Sequence, residues 1–259
     1  MDNVKDKTVM ITGGATGLGY KYAEILLKHD AKSVALIDLP TSNGQNAATT
    51  LENEFGRGRV IFIAADVTKD LEKAFKTVID KFSTLDILIN NAGILNENLM
   101  EQTINVNVIA LIRGSFLALD HMGKHKGGKG GVIVNISSIA GLRPSSSLPI
   151  YCSSKYAVLG FSRSLADLYD TTGVRILILC PGATQTAMMT DNIQDRICNI
   201  ANVTAVAQTF DAFSKQTTDD VANAMLNLIQ KGKNGAVWVS EDGEPPYAVD
   251  FPHYSKQSV

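Results

Sequence analysis

The sequence predicts an α/β fold: a doubly wound sheet of about seven parallel strands with helices on both faces. Short runs rich in Val and Ile alternate with longer segments of helical period along the whole chain. The runs are apolar on both faces, as strands buried in a parallel sheet must be. Of the 259 residues, 45% are hydrophobic and 19% charged. These values predict one large-cored domain over 1–259.

Each apolar run predicts a strand and each periodic segment a helix. The alternation implies right-handed β-α-β crossovers. The segment 184–217 has no strand pattern and predicts an insertion of short helices with one apolar face beside the substrate. The predicted strands are Thr8–Thr12, Ser33–Asp38, Val60–Ala64, Ile87–Asn90, Gly131–Ile136, 175–179 and 236–239. The predicted helices are about 19–29, 43–55, Leu71–Phe82, 102–121, 153–169 and 219–230.

Charge and cysteine usage exclude several classes of protein. A net charge of −2 creates no field that would attract nucleic acid or an anionic membrane. No run of about 18 apolar residues predicts a membrane span, and no secretory signal is visible, so a cytoplasmic location is expected. Three cysteines without C-x-x-C spacing argue against a disulfide framework and against a zinc site, so no metal is expected.

A glycine-rich turn, Thr12-Gly13-Gly14-Ala15-Thr16-Gly17-Leu18-Gly19, follows the first predicted strand. Glycines permit a tight turn and let backbone N–H groups approach a pyrophosphate at the positive end of the next helix. The general G-x-G-x-x-G pattern is absent, and a turn without a ligand is the alternative. The candidate cofactor-binding residues are Thr12, Gly13, Gly17, Leu18 and Gly19.

Asp38 ends the second predicted strand, nineteen residues after Gly19. A carboxylate there accepts hydrogen bonds from both ribose hydroxyls of NAD and repels the 2′-phosphate of NADP. Neither Gly14, Ala15 nor Leu39 supplies the cation that an NADP site needs. The sequence therefore favours NAD, with Asp38 and Leu39 at the ribose. A strand-end turn is the alternative for Asp38, and an NADP-dependent carbonyl reductase is the alternative for the chain.

Two further motifs follow predicted strands. Asp66 and Val67 come after the third strand, where the carboxylate would meet the adenine amino group and Val67 would flank it. Asn91, Ala92 and Gly93 come after the fourth, where Asn91 would brace the sheet and the two small residues would leave room for the cofactor. Each motif sits at a carboxyl strand end, where α/β sheets bind ligands. A plain turn would explain either motif alone.

Ser138 follows the fifth predicted strand, and Tyr151 comes thirteen residues later with Lys155 one helical turn beyond. Tyr151 and Lys155 share a helix face. A free phenol has a pKa of about 10 and is a poor base at neutral pH. A nearby ammonium and a positive nicotinamide would favour the phenolate. Ser138 would hold the substrate oxygen near Tyr151, and Asn107 would anchor a water that relays the proton.

These motifs together resemble the short-chain dehydrogenase/reductase superfamily in identity and order over nearly the whole chain. The resemblance implies a Rossmann-type fold, a nicotinamide cofactor and an Asn-Ser-Tyr-Lys tetrad. Tyr151 would be the acid/base, Lys155 would lower its pKa and bind the nicotinamide ribose, and Asn107 would maintain the relay. The residues that carry the resemblance are Thr12–Gly19, Asp38, Asp66, Asn90, Asn91, Ala92, Gly93, Asn107, Ser138, Tyr151, Lys155, Pro181 and Gly182.

The segment Pro181-Gly182-Ala183-Thr184-Gln185-Thr186 resembles the family's nicotinamide loop. Thr184 would meet the carboxamide through its backbone and Thr186 through its hydroxyl, although the family usually has Val or Ile at the position of Thr184. The segments 103–122, 135–142 and 238–254 are similar to an NAD-linked branch, the 15-hydroxyprostaglandin dehydrogenase-like proteins, which includes many insect alcohol dehydrogenase-like proteins. This likeness does not imply prostaglandin as the substrate.

The predicted substrate side is apolar, which suggests a lipid-like primary or secondary alcohol. A core, an interface or a mobile lid would use the same side chains. A non-catalytic NAD-binding or storage protein on this fold remains an alternative function. The resemblance implies a homodimer or homotetramer built partly from the helices near 102–121 and 153–169. The candidate substrate residues are Ser138, Leu95, Leu148, Ile150, Met188 and Met189, with Leu142 and Ile193 close by.

Overall fold

The structure is a computed structural model that describes residues 4–190, 193–198 and 216–256. Seven parallel strands and one antiparallel strand form a single sheet in the order β3-β2-β1-β4-β5-β6-β7-β8. This is the Rossmann-type doubly wound order. The strands are β1 (Thr8–Thr12), β2 (Ser33–Asp38), β3 (Val60–Ala64), β4 (Ile87–Asn90), β5 (Gly131–Ile136), β6 (Val174–Pro181), β7 (Val237–Ser240) and β8 (Tyr247–Ala248).

Helices cover both faces of the sheet. They are α1 (Gly17–Lys28), α2 (Gly44–Phe55), α3 (Leu71–Phe82), α4 (Met100–Ile104), α5 (Leu111–Met122), α6 (Pro149–Ala166), α7 (Tyr169–Thr172), α8 (Ala187–Thr190) and α9 (Thr218–Lys231). A π-helical segment, Asn105–Ala110, joins α4 to α5, and 3₁₀ turns lie at Lys124–Lys126, Ile139–Gly141, Ile193–Arg196 and Tyr254–Lys256.

Two apolar layers sandwich the sheet, because successive side chains of a strand point to opposite faces. In β1, Val9 and Ile11 pack in one layer with α1, α2 and α9, whereas Met10 packs in the other with α3 and α5. Ile133 of β5 lies in the second layer as well. Each fully buried aliphatic side chain stabilises the fold by about 1.5–3 kcal/mol relative to exposure, so the continuous apolar runs have a direct structural cause.

The structure confirms the predicted fold class and corrects several boundaries. The first five strands have the predicted bounds. Strand β8, two residues long and antiparallel to β7, is too short to show a periodic pattern and was not predicted. Helix α6 begins at Pro149 rather than near residue 153. Of the predicted insertion, 191–192 and 199–215, with Ile200, Val206, Phe210 and Phe213, lie outside the described residues.

The segment Met100–Met122 forms one continuous helical stretch. By length and composition it could cross a membrane, although it contains no unbroken run of about 18 apolar residues. Half of its most apolar window is buried within the fold, and Arg113 and Asp120 lie on it. These features are typical of a helix that covers a sheet.

Candidate active site

A hydrogen-bonded joint fixes the glycine-rich turn to the end of β4. Thr12 Oγ1 accepts from the backbone N–H groups of Asn91 (3.0 Å) and Ala92 (3.1 Å). Asn91 Nδ2 donates to the carbonyl oxygens of Thr12 and Gly13, at 3.0 Å each. The chain following β1 and the chain following β4 therefore form one rigid floor at the carboxyl edge of the sheet.

Two glycines of the turn have no room for a side chain. A Cβ on Gly13, whose φ is +63°, would lie 2.9 Å from Ala92 Cα, and a Cβ on Gly19 would lie 2.0 Å from the Gly13 carbonyl oxygen. Helix α1 can therefore begin directly against the turn, with its positive end toward the cleft.

A cleft of about 630 Å³ opens above this floor. Its volume falls within the range of about 300–1,000 Å³ that is usual for ligand sites. The predicted cofactor-binding residues that line it are Gly13, Gly17, Leu18, Asp38, Leu39, Asp66, Val67, Asn91, Ala92, Gly93 and Thr186, and Met188 joins them from the predicted substrate side.

Asp38 is fixed at the rim of the cleft. Its Oδ2 accepts from the Ala15 N–H (2.9 Å) and its Oδ1 from the Leu39 N–H (2.8 Å). Each carboxylate oxygen has a second lone pair. The group can thus hold the glycine-rich turn and still accept from the two hydroxyls of a ribose.

Asp66 is engaged in a local turn. Its Oδ1 accepts from the N–H and the hydroxyl of Thr68, at 2.9 and 2.7 Å, and its Oδ2 lies 3.3 Å from Lys69 Nζ. The Thr68 hydrogen bonds are the main reason that the pKa of Asp66 is lowered. The hydrogen bonds of this turn are sufficient to explain the position of the Asp66 carboxylate, so its contact with adenine stays a prediction. Val67 lies buried in the wall of the cleft.

Ser138, Tyr151 and Lys155 meet beyond the floor. Ser138 Oγ donates to the Pro181 carbonyl (3.3 Å) and accepts from the Ala140 N–H (3.1 Å). Tyr151 is 8% exposed and Lys155 is 4% exposed. Lys155 Nζ lies 5.6 Å from the centre of the Tyr151 ring and donates to the Ile136 carbonyl at 3.0 Å.

Burial is the main cause of the pKa shifts of Tyr151 and Lys155. It raises the pKa of Tyr151 to about 12, although the nearby Ser138 hydroxyl partly offsets the rise. It lowers the pKa of Lys155 to about 8, because the ammonium loses hydration without gaining a carboxylate. In the chain by itself, burial is the largest cause of the raised pKa of Tyr151. That Lys155 and a positive nicotinamide together lower this pKa stays a prediction.

Asn107 lies in the π-helical segment, a feature that often marks functional sites. Its Oδ1 accepts from the Ile94 N–H (2.8 Å), and its Nδ2 donates to the Ile94 carbonyl (2.9 Å) and to Ser154 Oγ (3.0 Å). Ser154 Oγ donates to the Tyr151 carbonyl at 2.7 Å. Asn107 therefore joins the loop after β4 to helix α6, and the relay water stays a prediction.

The predicted nicotinamide loop is held at the end of β6. The Gly182 N–H donates to Ser240 O (2.8 Å), and Thr184 forms a parallel bridge with Gln216. Gln216 Nε2 donates to Thr184 Oγ1 at 3.2 Å and to Ser240 O at 2.6 Å. Thr186 Oγ1 donates to Thr184 O at 3.4 Å, and the Thr186 side chain lies close to Gly17. The loop thus faces the glycine-rich turn across the cleft.

Tyr151 belongs to a buried apolar cluster. Leu95, Leu148, Cys152 and Ile197 are buried there, and Ala140, Met188 and Ile193 pack against them. Ile150 and Met189 are half-buried. Leu142 packs instead with a separate cluster that includes Leu159 and Ile178, so it is not part of this wall.

Sequence reasoning missed Glu97, Ser154 and Gln216. Glu97 is 8% exposed, and its carboxylate accepts from the backbone N–H groups of Ile150 and Tyr151. A buried carboxylate between two apolar segments gives no local pattern that predicts its partners. Gln216 directly precedes the Thr217/Asp220 capping box of α9, which could have indicated an anchored loop end.

The residues in and beside the cleft are chemically suited to bind a dinucleotide. Glycines that admit no Cβ adjoin a helix start, which suits phosphates. Asp38 suits ribose hydroxyls. Within the described ranges, Ile136 O is the acceptor reached by the buried Lys155 ammonium, which has three donors. Lys155 can thus donate to the hydroxyls of a second ribose.

The sheet order and the cleft at its carboxyl edge place this protein in the class of α/β dinucleotide-binding folds. Residues 7–197 match the family model described as short chain dehydrogenase, and the chain belongs to this family of oxidoreductases.

Two relatives and one structure extend the comparison. The chain is 37% identical to rat (Rattus norvegicus) 15-hydroxyprostaglandin dehydrogenase [NAD(+)], covering 98% of this chain and 99% of the relative. It is 34% identical to alcohol dehydrogenase 1 of Ceratitis cosyra, covering 93% and 94%. The crystal structure of levodione reductase superposes with a TM-score of 0.80 at 24% identity, over 92% of this chain and 97% of that one, and this likeness supports the fold.

Proposed function

We propose that this protein is an NAD-dependent dehydrogenase that oxidises an apolar, lipid-like alcohol to the aldehyde or ketone. The observation that carries the proposal is the buried group of Ser138, Tyr151 and Lys155. Tyr151 belongs to the apolar cluster, and Lys155 Nζ lies close to Gly93, which lines the cleft. The names of the rat and Ceratitis relatives support the same chemistry. The acidic rim at Asp38 supports NAD over NADP.

The proton path follows from the chain's own groups. Bound NAD supplies the hydride acceptor. Ser138 Oγ holds the substrate oxygen beside Tyr151, and the Tyr151 phenolate takes the hydroxyl proton as the carbinol carbon is oxidised. Lys155 would hold the cofactor ribose, and its charge would add to that of the oxidised nicotinamide in favouring the phenolate. The proton then leaves toward Lys155 and the Asn107–Ile94 side.

The substrate class follows from the apolar cluster beside Tyr151. Leu95, Leu148 and Met188 belong to the apolar cluster that includes Tyr151, together with Ile193 and Ile197. Burial of an apolar chain against such a wall contributes about 25 cal/mol per Å². A small polar alcohol gains little of this energy, so kcat/KM should rise with the length of the apolar chain.

The decisive assay is NADH formation across a panel of short alcohols, isoprenoid alcohols, hydroxy fatty acids and steroids, with NAD and NADP in parallel. We expect NAD-dependent turnover of an apolar class. Tyr151→Phe should retain NAD binding and the fold but lose at least about a hundredfold in kcat, the usual scale of acid/base catalysis. Full activity of Tyr151→Phe would remove the phenol from the mechanism. NAD binding without turnover of any alcohol would favour a binding protein.

We also propose that the protein is a cytoplasmic homodimer or homotetramer. Helices α5 and α6 carry exposed aromatic side chains, among them Phe116 and Tyr156, on the face expected to form the interface. Subcellular fractionation tests the location, and the oligomeric state is tested below.

A further inference from the structure

Glu97 is a buried carboxylate in the loop between β4 and α4. Its Oε2 accepts from the Ile150 N–H at 2.8 Å, and its Oε1 accepts from the Tyr151 N–H at 2.9 Å. These amides belong to the first turn of α6, which begins at Pro149. The first N–H groups of a helix have no partner within the helix, so Glu97 supplies acceptors from a distant part of the chain.

Helix α6 has no local cap. The residue at its N-cap position, Leu148, offers no side-chain acceptor, and Pro149 has no N–H. The Glu97 charge also lies at the positive end of the helix dipole. One of the two amides it holds is that of Tyr151 itself. The position of the phenol therefore depends directly on Glu97.

The same loop is joined to the cofactor side. Ile94, three residues before Glu97, exchanges two hydrogen bonds with the Asn107 side chain at 2.8 and 2.9 Å. Gly93 lines the cleft. A shift of Glu97 therefore changes where Tyr151 stands relative to the groups that would hold the dinucleotide.

The loop is joined to the substrate side as well. The Glu97 N–H donates to Arg196 O at 2.8 Å, and Asn98 Nδ2 donates to Asp195 O at 2.7 Å. Ile193 and Ile197, from the same segment 193–198, belong to the apolar cluster around Tyr151. Glu97 is thus hydrogen-bonded both to the start of helix α6 and to the segment 193–198, and it lies in the loop that Asn107 holds beside the cleft.

We propose that Glu97 is a positioning residue for Tyr151: its carboxylate fixes the first turn of α6 relative to the cofactor and the substrate wall. The proposal rests on the proposed dehydrogenase function. Glu97 touches no reacting atom, so it acts on the rate of the chemical step and leaves dinucleotide binding unchanged.

The first test is Glu97→Gln in the full-length protein. Glutamine has the same size but presents an NH₂ group to one of the two amides, which leaves that donor unpaired. Displacing a catalytic group by a fraction of an ångström reduces kcat by about tenfold. We expect that loss together with an unchanged dissociation constant for NADH and a larger kinetic isotope effect with alcohol deuterated at the carbinol carbon.

Two further variants make the result specific. Glu97→Asp keeps two anionic acceptor oxygens and should recover part of kcat. Glu72→Gln makes the same exchange at an exposed residue in the first turn of α3 and should leave kcat unchanged. A kcat of Glu97→Gln within about twofold of the wild type would overturn the proposal, since misplacement costs more. Parallel loss of kcat, NADH binding and folded protein would also overturn it, because the role would then be structural.

Amide hydrogen exchange separates this proposal from the proposed function. If the wild type oxidises no alcohol, the dehydrogenase proposal fails, and exchange alone decides the role of Glu97. We expect Glu97→Gln to exchange at least one of the Ile150 and Tyr151 amides about tenfold faster or more, with the rest of α6 unchanged. Equal exchange in variant and wild type would show that the carboxylate does not hold this turn.

Discussion

At the scale of single residues, Tyr151 and Lys155 lie in the same buried environment, which shifts their pKa values in opposite directions. Burial raises the pKa of the phenol to about 12 and lowers that of the ammonium to about 8. Both shifts favour the neutral form and therefore oppose the ion pair that alcohol oxidation requires. The buried ammonium therefore costs stability at neutral pH, whereas the charge of the oxidised nicotinamide would favour the phenolate.

Lys155→Met should stabilise the cofactor-free protein while abolishing turnover. The pKa of Lys155 falls from 10.5 to about 8 on folding. Below pH 8 both states hold the proton and the full cost is present. Between about 8 and 10.5 the unfolded chain binds more protons, so wild-type stability rises with pH. The shift corresponds to about 3 kcal/mol, and the Ile136 carbonyl loses its donor, which leaves a gain of roughly 2 kcal/mol.

Denaturant unfolding of both proteins at pH 7 and near pH 10.5 measures this effect. The advantage of Lys155→Met should shrink at the higher pH, and ionisation of unfolded tyrosine should reduce stability above about pH 10 in both proteins. A variant less stable than the wild type at pH 7 would show that the Lys155 hydrogen bond outweighs its desolvation.

Asp38→Asn tests the choice of cofactor. Asparagine keeps one acceptor for the Ala15 or Leu39 amide but loses the charge that repels a 2′-phosphate. We expect kcat/KM for NAD to fall by about tenfold and the NAD-to-NADP preference to fall further, because a charge-assisted hydrogen bond contributes about 1.5–3 kcal/mol. Steady-state kinetics with both cofactors measure the ratio. An unchanged ratio would mean that Asp38 serves the glycine-rich turn alone.

At the scale of elements, the turn between β1 and α1 can bind a dinucleotide only if the backbone of α1 packs directly against the backbone of the turn. In Gly19→Ala the added Cβ would lie 2.0 Å from the Gly13 carbonyl oxygen, so the turn must shift. We expect loss of NADH binding, measured by fluorescence titration, with the far-UV spectrum retained. Gly160→Ala is the matched control, because a Cβ there meets nothing within 4 Å. It should stabilise α6 by up to about 1 kcal/mol. Equal NADH affinity in both variants would contradict the close-packing argument.

The elements also show why some boundaries were predictable. Strands β1, β2, β4 and β5 are buried on both faces, and the edge strand β3 is largely half-buried. This burial appears in the sequence as apolar runs that end at turn residues. The start of α6 was misplaced because its capping carboxylate, Glu97, is far away in sequence. The π-helical segment around Asn107 repeats apolar residues much as an α-helix does, so its extra residue per turn gives no visible signal.

At the scale of the whole molecule, the candidate site could be predicted where its residues follow strands. Asp38, Asn91 and Ser138 reach one edge because the carboxyl ends of parallel strands meet there. Glu97 and Gln216 could not be predicted, since their partners depend on loop paths. The raised pKa of Tyr151 in the chain by itself could not be predicted either, because the spacing to Lys155 indicates a nearby charge but not the depth of burial.

The proposed oligomer depends on α5 and α6, which lie side by side on one face of the sheet. Phe116 is 50% exposed and Tyr156 is 41% exposed, and Phe116 packs edge-to-face on Phe161 with ring centres 5.9 Å apart. Exposed aromatic side chains that cluster in this way are typical of interfaces. We expect Phe116→Glu to lower the mass measured by sedimentation to that of a smaller species, because a carboxylate buried between subunits would lack a partner. Thr50→Glu on α2 is the control for added charge and should leave the mass unchanged. A monomeric wild type, or an unchanged mass in Phe116→Glu, would place the interface elsewhere or remove it.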